Sequence, residues 1–251
     1  MVSKADAGRL YERVANDLSA KIAEGQYAIG GRLPSERDLA QAYGVSRPTV
    51  REAIIALELD GLVEVRTGSG VYVTARLPRG GKAGEMDVGP FELLEARRAI
   101  EGEACALAAV LISDEELDAL DRLVAEMQQE NDRDVVMSED ADRRFHMLIA
   151  ECTQNSAMVA AVQMLWDARA RSPQTKLLSL KAQAAGVIPR IDEHAAILSA
   201  LRTRSPEGAR NAMRSHLTRV LDSLLAATEV HELEQARARI AAERRRYTRS
   251  S

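Results

Sequence analysis

Asp142 and His146 stand four residues apart in a stretch with helical apolar spacing, so both side chains leave one side of one helix. His194 and His216 fall in two later segments of the same kind, divided by the Ser205-Pro206 break. A helical bundle can bring three such helices to one interior point. A carboxylate and three imidazoles there would hold a metal ion and leave coordination positions open. Imidazole-rich ligation suits zinc first, with nickel, cobalt, iron or manganese behind it, rather than magnesium or calcium. Alone, an Asp-x-x-x-His pair is more often a surface pair or a satisfied core pair than a pair of ligands. His231, the fourth histidine, opens the charged stretch HELEQ, which lacks the second His of a zincin motif and reads as solvated or capping.

A second group of residues suits nucleic acid. Arg47 and Arg51 are also four apart and share a face of a helix that Ser46 caps, with Thr49 beside them; Arg37 projects from the helix before. Arginine matches both guanine O6/N7 and phosphate oxygens, and the helix N-terminus with Ser46 can hold a phosphate through backbone N–H groups. Thr67-Gly68-Ser69-Gly70 makes a hairpin tip in which the glycines permit close approach to a nucleic-acid backbone. Any one of these arginines alone reads as part of a solvated face; their grouping beside a hairpin favours DNA.

The elements that must position these residues fall into two groups. Leu10, Val14, Leu18 and Ile22 predict a first helix, ended by Gly25. Ser35 predicts the cap of a short second helix closed by Gly44, and Ser46 with Pro48 opens a third, stopped by Gly61. LVEVRTGSGVYV alternates around its Gly-rich centre as a hairpin does. Helix, helix, turn, helix and hairpin make a winged helix-turn-helix, whose third helix would enter a major groove. Residues 76–89, RLPRGGKAGEMDVG, hold four glycines and no apolar period. The expected division is a DNA-binding domain over 1–76, a linker over 77–89 and a helical domain over 90–251. In the last, helices are expected at 91–111, from a Ser113/Glu116 capping box to about 130, and at about 138–152, 156–170, 187–203 and 206–227, with a charged tail helix after them. The fold class is mainly α.

Composition sets limits on all this. The 251 residues are 46% hydrophobic and 29% charged but only 3% aromatic, which argues for a helical, globular chain and against an aromatic-rich sheet protein. No apolar run of 18 residues exists, and Lys4, Asp6, Arg9 and Glu12 stand where a signal peptide would be apolar. No membrane is expected. Two cysteines are too few for a disulfide framework, and a reducing cytoplasm is the expected compartment. Residues 1–82 carry a net charge of +2 and residues 83–251 one of −6, a mildly basic front on an acidic body.

The run RLPSERDLAQAYGVSRPTVREAIIALELDGLVEVRTGSGVYV resembles the DNA-binding domain of the GntR family of bacterial regulators. The resemblance implies DNA contacts by Arg37, Arg47, Thr49, Arg51 and Gly68, and binding to a palindromic operator as a homodimer. The segments FELLEARRAIEGEACALAA, DRRFHMLIAECTQNSAM, DEHAAILSALR and ARNAMRSHL resemble the FCD domain of the FadR branch, with closer similarity to its hexuronate-utilisation repressors. By that resemblance Asp142, His146, His194 and His216 bind a metal. Arg97, which opens an R-x-x-[LI]-E pattern, clamps the carboxylate of a small acid or bridges to Glu101; Asn155 bonds a ligand hydroxyl or caps the next helix. The function implied is a repressor that a hexuronate-like carboxylate releases from DNA. The alternative is a metal-dependent sugar-acid isomerase or lyase carrying a DNA-targeting module.

Overall fold

Val14, Leu18 and Ile22 are buried along α1 (Leu10–Ala23), while Leu10, first of the expected stripe, is exposed. The computed structural model describes residues 10–66, 69–78, 88–131, 139–184, 187 and 190–228. Among these are ten helices and one two-stranded sheet, a mainly α architecture, in two compact units. The tail that holds His231, the hairpin residues Thr67 and Gly68, and most of the expected linker lie outside the described residues.

In the first unit, α1 packs on α3 (Arg47–Leu59), and α2 (Glu36–Tyr43) lies against α3. The Ser35 hydroxyl accepts from Asp38 N–H and that of Ser46 from Thr49 N–H, so each serine satisfies a backbone donor that helix geometry leaves over. Gly44 ends α2 at φ 66°, a left-handed value that glycine adopts without a Cβ clash. Strands β1 (Val63–Arg66) and β2 (Gly70–Val73) pair antiparallel with Val63 opposite Val73 and Arg66 opposite Gly70. Residues 30–33 extend this ribbon on its other side: Leu33 N–H donates to Val71 and Val73 N–H to Gly31. Leu18, Ile22, Val50, Leu57, Leu62 and Val73 form the core between helices and ribbon.

The second unit is built from α4 (Pro90–Leu111), α5 (Asp114–Asn131), α6 (Glu139–Glu151), α7 (Ser156–Arg171), α8 (Pro173–Ala184), α9 (Ile191–Arg202) and α10 (Pro206–Thr228). Ser113 and Glu116 make the expected reciprocal cap of α5, and the Ser205 hydroxyl accepts from Gly208 N–H at the start of α10. Phe145, Leu120, Ile149, Ile197, Leu201 and Met213 fill its centre, and Cys105 and Cys152 are buried free thiols. Helix α8 is not among the expected elements. Pro173 reads as a breaker in sequence, yet it occupies the first position of α8, where a missing N–H costs nothing. Helix α9 begins at Ile191 rather than 187.

Candidate metal centre and DNA-reading surface

Helix α6 projects Asp142 and His146, α9 projects His194 and α10 projects His216. One ligand atom from each of the four lies within 4.8 Å of all the others. The three histidines are buried, and a quarter of the Asp142 side chain is exposed. Asp142 Oδ1 lies 2.9 Å from His194 Nε2 and 3.4 Å from His146 Nε2. The imidazoles of His194 and His216 lie 4.5 Å apart between centroids, tilted by 58°. Two buried ring nitrogens, His146 Nε2 and His194 Nδ1, make no hydrogen bond. Orphaned lone-pair atoms around one carboxylate are the donor set a transition-metal cation requires, so these residues fit a metal.

Behind two of these rings stands a carboxylate, and behind each carboxylate an arginine. His146 Nδ1 donates to Glu101, and Arg97 Nε donates to the same carboxylate at 2.6 Å. His216 Nδ1 donates to Glu193 at 2.8 Å, and Arg219 Nε donates to Glu193 at 2.6 Å. A carboxylate on Nδ1 fixes the tautomer and turns Nε2 outward as the coordinating nitrogen. Burial pushes Glu101 up, but Arg97 and His146 overcome it and hold the carboxyl down at about 2. Burial works the same way on Asp142, and the adjoining His146 ring and the hydrogen bond from His194 keep it well below the usual carboxylate range. Burial depresses His216 to about 4 despite its bond to Glu193, so the ring is neutral at neutral pH. His146 is also penalised by burial, yet the carboxylates of Glu101 and Asp142 raise it above its ordinary value; a bound cation would supply that positive charge in place of a proton. Glu193→Gln removes the charge behind His216 and keeps the shape. It is expected to weaken metal binding about tenfold, the low end for such supporting groups, as measured by competition with a chromophoric chelator.

A cavity of about 140 Å³ opens on Asp142, His194 and His216. One water needs about 10–15 Å³, so the space suits an acid of roughly ten heavy atoms. Leu93, Leu178, Leu217 and Val220 form apolar wall, and Arg97, Arg169, Arg190 and Arg219 reach it. The Arg97 guanidinium is buried, paired with Glu101 and stacked 4.0 Å over the Trp166 ring, so it is both the intrahelical bridge and a cavity group. Arg190 is held by Asp192 at 2.8 Å. Asn155 takes the other of its two expected roles. Its side chain accepts from Ala157 and Met158 N–H at the start of α7, and it is not part of the cavity wall. Glu193, Arg219 and Thr175 are cavity residues that the sequence analysis missed. The signals present were a carboxylate directly before His194 and an arginine three residues after His216.

In the first unit Arg37 is exposed, with its Nε 3.7 Å from Asp38, and Arg47 is half exposed. Ser46 and Thr49 bond each other at 2.8 Å through their hydroxyls at the first turn of α3. Arg51 departs from the solvent-facing position its spacing implied. It is only 6% exposed, and its Nε donates to both Glu36 carboxylate oxygens, at 2.8 and 2.9 Å. Glu36, itself buried on α2, lies 3.6 Å from Arg47 as well and draws both guanidinium groups toward it.

A winged helix-turn-helix unit and a helical unit with a polar centre, carried on one chain, define a class: two-domain DNA-binding regulators. Residues 10–73 match the family described as bacterial regulatory proteins, gntR family, and residues 92–219 match the FCD domain, so the chain belongs to the gntR family and is a DNA-binding transcriptional regulator of the FCD type. It is 38% identical over 214 residues to the Exu regulon transcriptional regulator of Escherichia coli K12, covering 83% of this chain and 82% of that one. It is 36% identical over 231 residues to the Uxu operon regulator of Haemophilus influenzae, covering 89% and 85%. Among solved structures, E. coli McbR/YncC aligns over 91% of this chain and all of its own at 23% identity with a TM-score of 0.50, which shows a shared fold. These relatives are regulators, which sets aside the enzyme reading. No helix among the described residues is long and apolar enough to cross a membrane.

Proposed function

We propose that this regulator is a repressor whose operator affinity is lowered by a hexuronate-like acid bound in the second unit at a metal held by Asp142, His146, His194 and His216. The observation that carries the reading is the meeting of these four side chains, three of them (Asp142, His194 and His216) at the wall of a cavity reached by arginines. The charges favour an anion. Glu101 with Arg97 and Glu193 with Arg219 are neutral as pairs, Asp142 is negative and His216 is uncharged. A divalent cation among them leaves surplus positive charge. When bound, the metal supplies a Lewis-acidic position for an effector oxygen. Arg97, held by Glu101 and Trp166, orients a carboxylate, and the apolar wall excludes water from it. The names of the Exu and Uxu relatives support a sugar acid as the effector. In the first unit Arg37, Ser46, Arg47 and Thr49 contact a palindromic operator, the chain acting as a homodimer. Arg51 contacts it only on exchanging its bond to Glu36.

A sensor must bind its effector more tightly in one arrangement of the dimer than in the other, and a coupling of about 1–3 kcal/mol is ordinary. The test uses protein purified without chelator. Glucuronate or galacturonate at a hundredfold excess over Kd is expected to stabilise it by about 2.7 kcal/mol, roughly 5–10 °C in Tm for a chain of this size. Chelator should abolish that shift, and the same acid should release the protein from the DNA flanking its own gene. A melting temperature unmoved by either acid overturns the effector; release that persists after chelation overturns the metal's part in it.

A further inference from the structure

Helix α8 turns one face to the cavity: Thr175, Leu178, Ser179 and Ala182, at the spacing of successive helical turns. Two of these four carry hydroxyls, one turn apart. The Thr175 Oγ1 is buried and makes no hydrogen bond among the described residues. The Thr175 backbone N–H is served, since it donates to the Ser172 hydroxyl at 3.2 Å, so the side-chain hydroxyl alone is left over. Threonine in a helix commonly bonds the carbonyl one turn back, and this one does not. A buried hydroxyl without a partner is costly and calls for a ligand or an ordered water to satisfy it. The His194 Nδ1 nitrogen is in the same condition, and His194 lines the same cavity as Thr175.

The geometry points to Thr175, with Ser179 beside it, as the specificity-determining pair that reads the hydroxyl groups of the effector. This rests on the effector reading above and deepens it: the metal and Arg97 take the carboxylate that every small acid has, and α8 distinguishes a hydroxylated acid from a plain one. A threonine hydroxyl both donates and accepts, so it pairs with a sugar hydroxyl in either sense. A site that hydrogen-bonds a ligand hydroxyl rejects the analogue lacking it, because its own buried group is then stranded. The apolar side chains between the two hydroxyls, Leu178 foremost, offer nothing to a misplaced polar group.

Thr175→Val tests this, since it keeps the side-chain shape and replaces the hydroxyl with a methyl. Wild type and variant are titrated with glucuronate, galacturonate and adipate, a six-carbon diacid without hydroxyls, and melted without ligand. The variant is expected to bind both uronates about tenfold more weakly, to bind adipate unchanged, to keep its metal content and to melt without ligand no lower than wild type. A lower ligand-free Tm would make the hydroxyl structural and overturn the assignment. Uronate affinity equal to wild type overturns it too, while the effector reading stands. A wild type that binds neither uronate overturns both. Ser179→Ala, on the same face, is expected to weaken uronate binding several-fold and carries the test should Thr175→Val not fold; unchanged uronate affinity in it then counts against α8.

Discussion

His194→Ala is expected to lower metal affinity by more than about 100-fold and to abolish the effector response, while the second unit stays folded. Supporting groups that never touch a metal already cost roughly 10–100-fold when removed, so loss of a coordinating ring must exceed that. His194 is the ring closest to Asp142, with Nε2 at 2.9 Å, and its other ring nitrogen is one of the two orphans of the centre. Its remaining role is packing. The ring meets Phe145 edge-on at 5.1 Å, and Phe145 keeps a core of leucines and isoleucines around it. The metal-free variant is therefore expected to lose about 1–2 kcal/mol, roughly 2–8 °C in Tm, relative to metal-free wild type. Chelator competition and thermal melting separate the two effects. Unchanged metal affinity removes His194 from the centre.

Arg51→Ala has the second large effect, and the structure makes it an effect on stability before it is one on DNA. Arg51 and Glu36 are both buried and bound through two short contacts. Removing the arginine strands a buried carboxylate, which costs about 3 kcal/mol, at the low end for such pairs because Arg47 lies 3.6 Å from the same group. Loss of operator binding by this variant would then mix unfolding with a lost contact. The pair Glu36→Gln with Arg51→Met separates them, since replacing both partners of a buried ion pair is often neutral. The double variant is expected to recover most of the lost stability, read by urea unfolding of the full chain. If it also recovers operator affinity, Arg51 is an internal brace and Arg47 with Arg37 carries the recognition.

Much of this was legible because local chemistry was explicit. Ser35, Ser46, Ser113 and Ser205 each cap the helix their position announces, and a cap depends only on residues within one turn. The four metal-set residues were legible as types on separate helices, and only packing could bring them together. Helix α8 was not legible: its apolar residues Leu177, Leu178 and Leu180 make no clean stripe, and Pro173 signals a break as readily as a start. The burial of Arg51 was hidden for a different reason. Its partner Glu36 is 15 residues away on another helix, and helical spacing reports only neighbours on the same one. For Arg97 the sequence offered a bridge or a clamp, and the fold supplies the bridge while placing the same guanidinium at the cavity.

Trp166 is the chain's single tryptophan. Its indole lies under Arg97 and 5.3 Å from the His146 ring. The protein therefore carries its own optical gauge at the centre. Light absorbed at the red edge of the indole band is emitted from one place only, beside the Arg97 guanidinium and the His146 ring, so any event that shifts either one is written into the emission without a label and without background from a second indole.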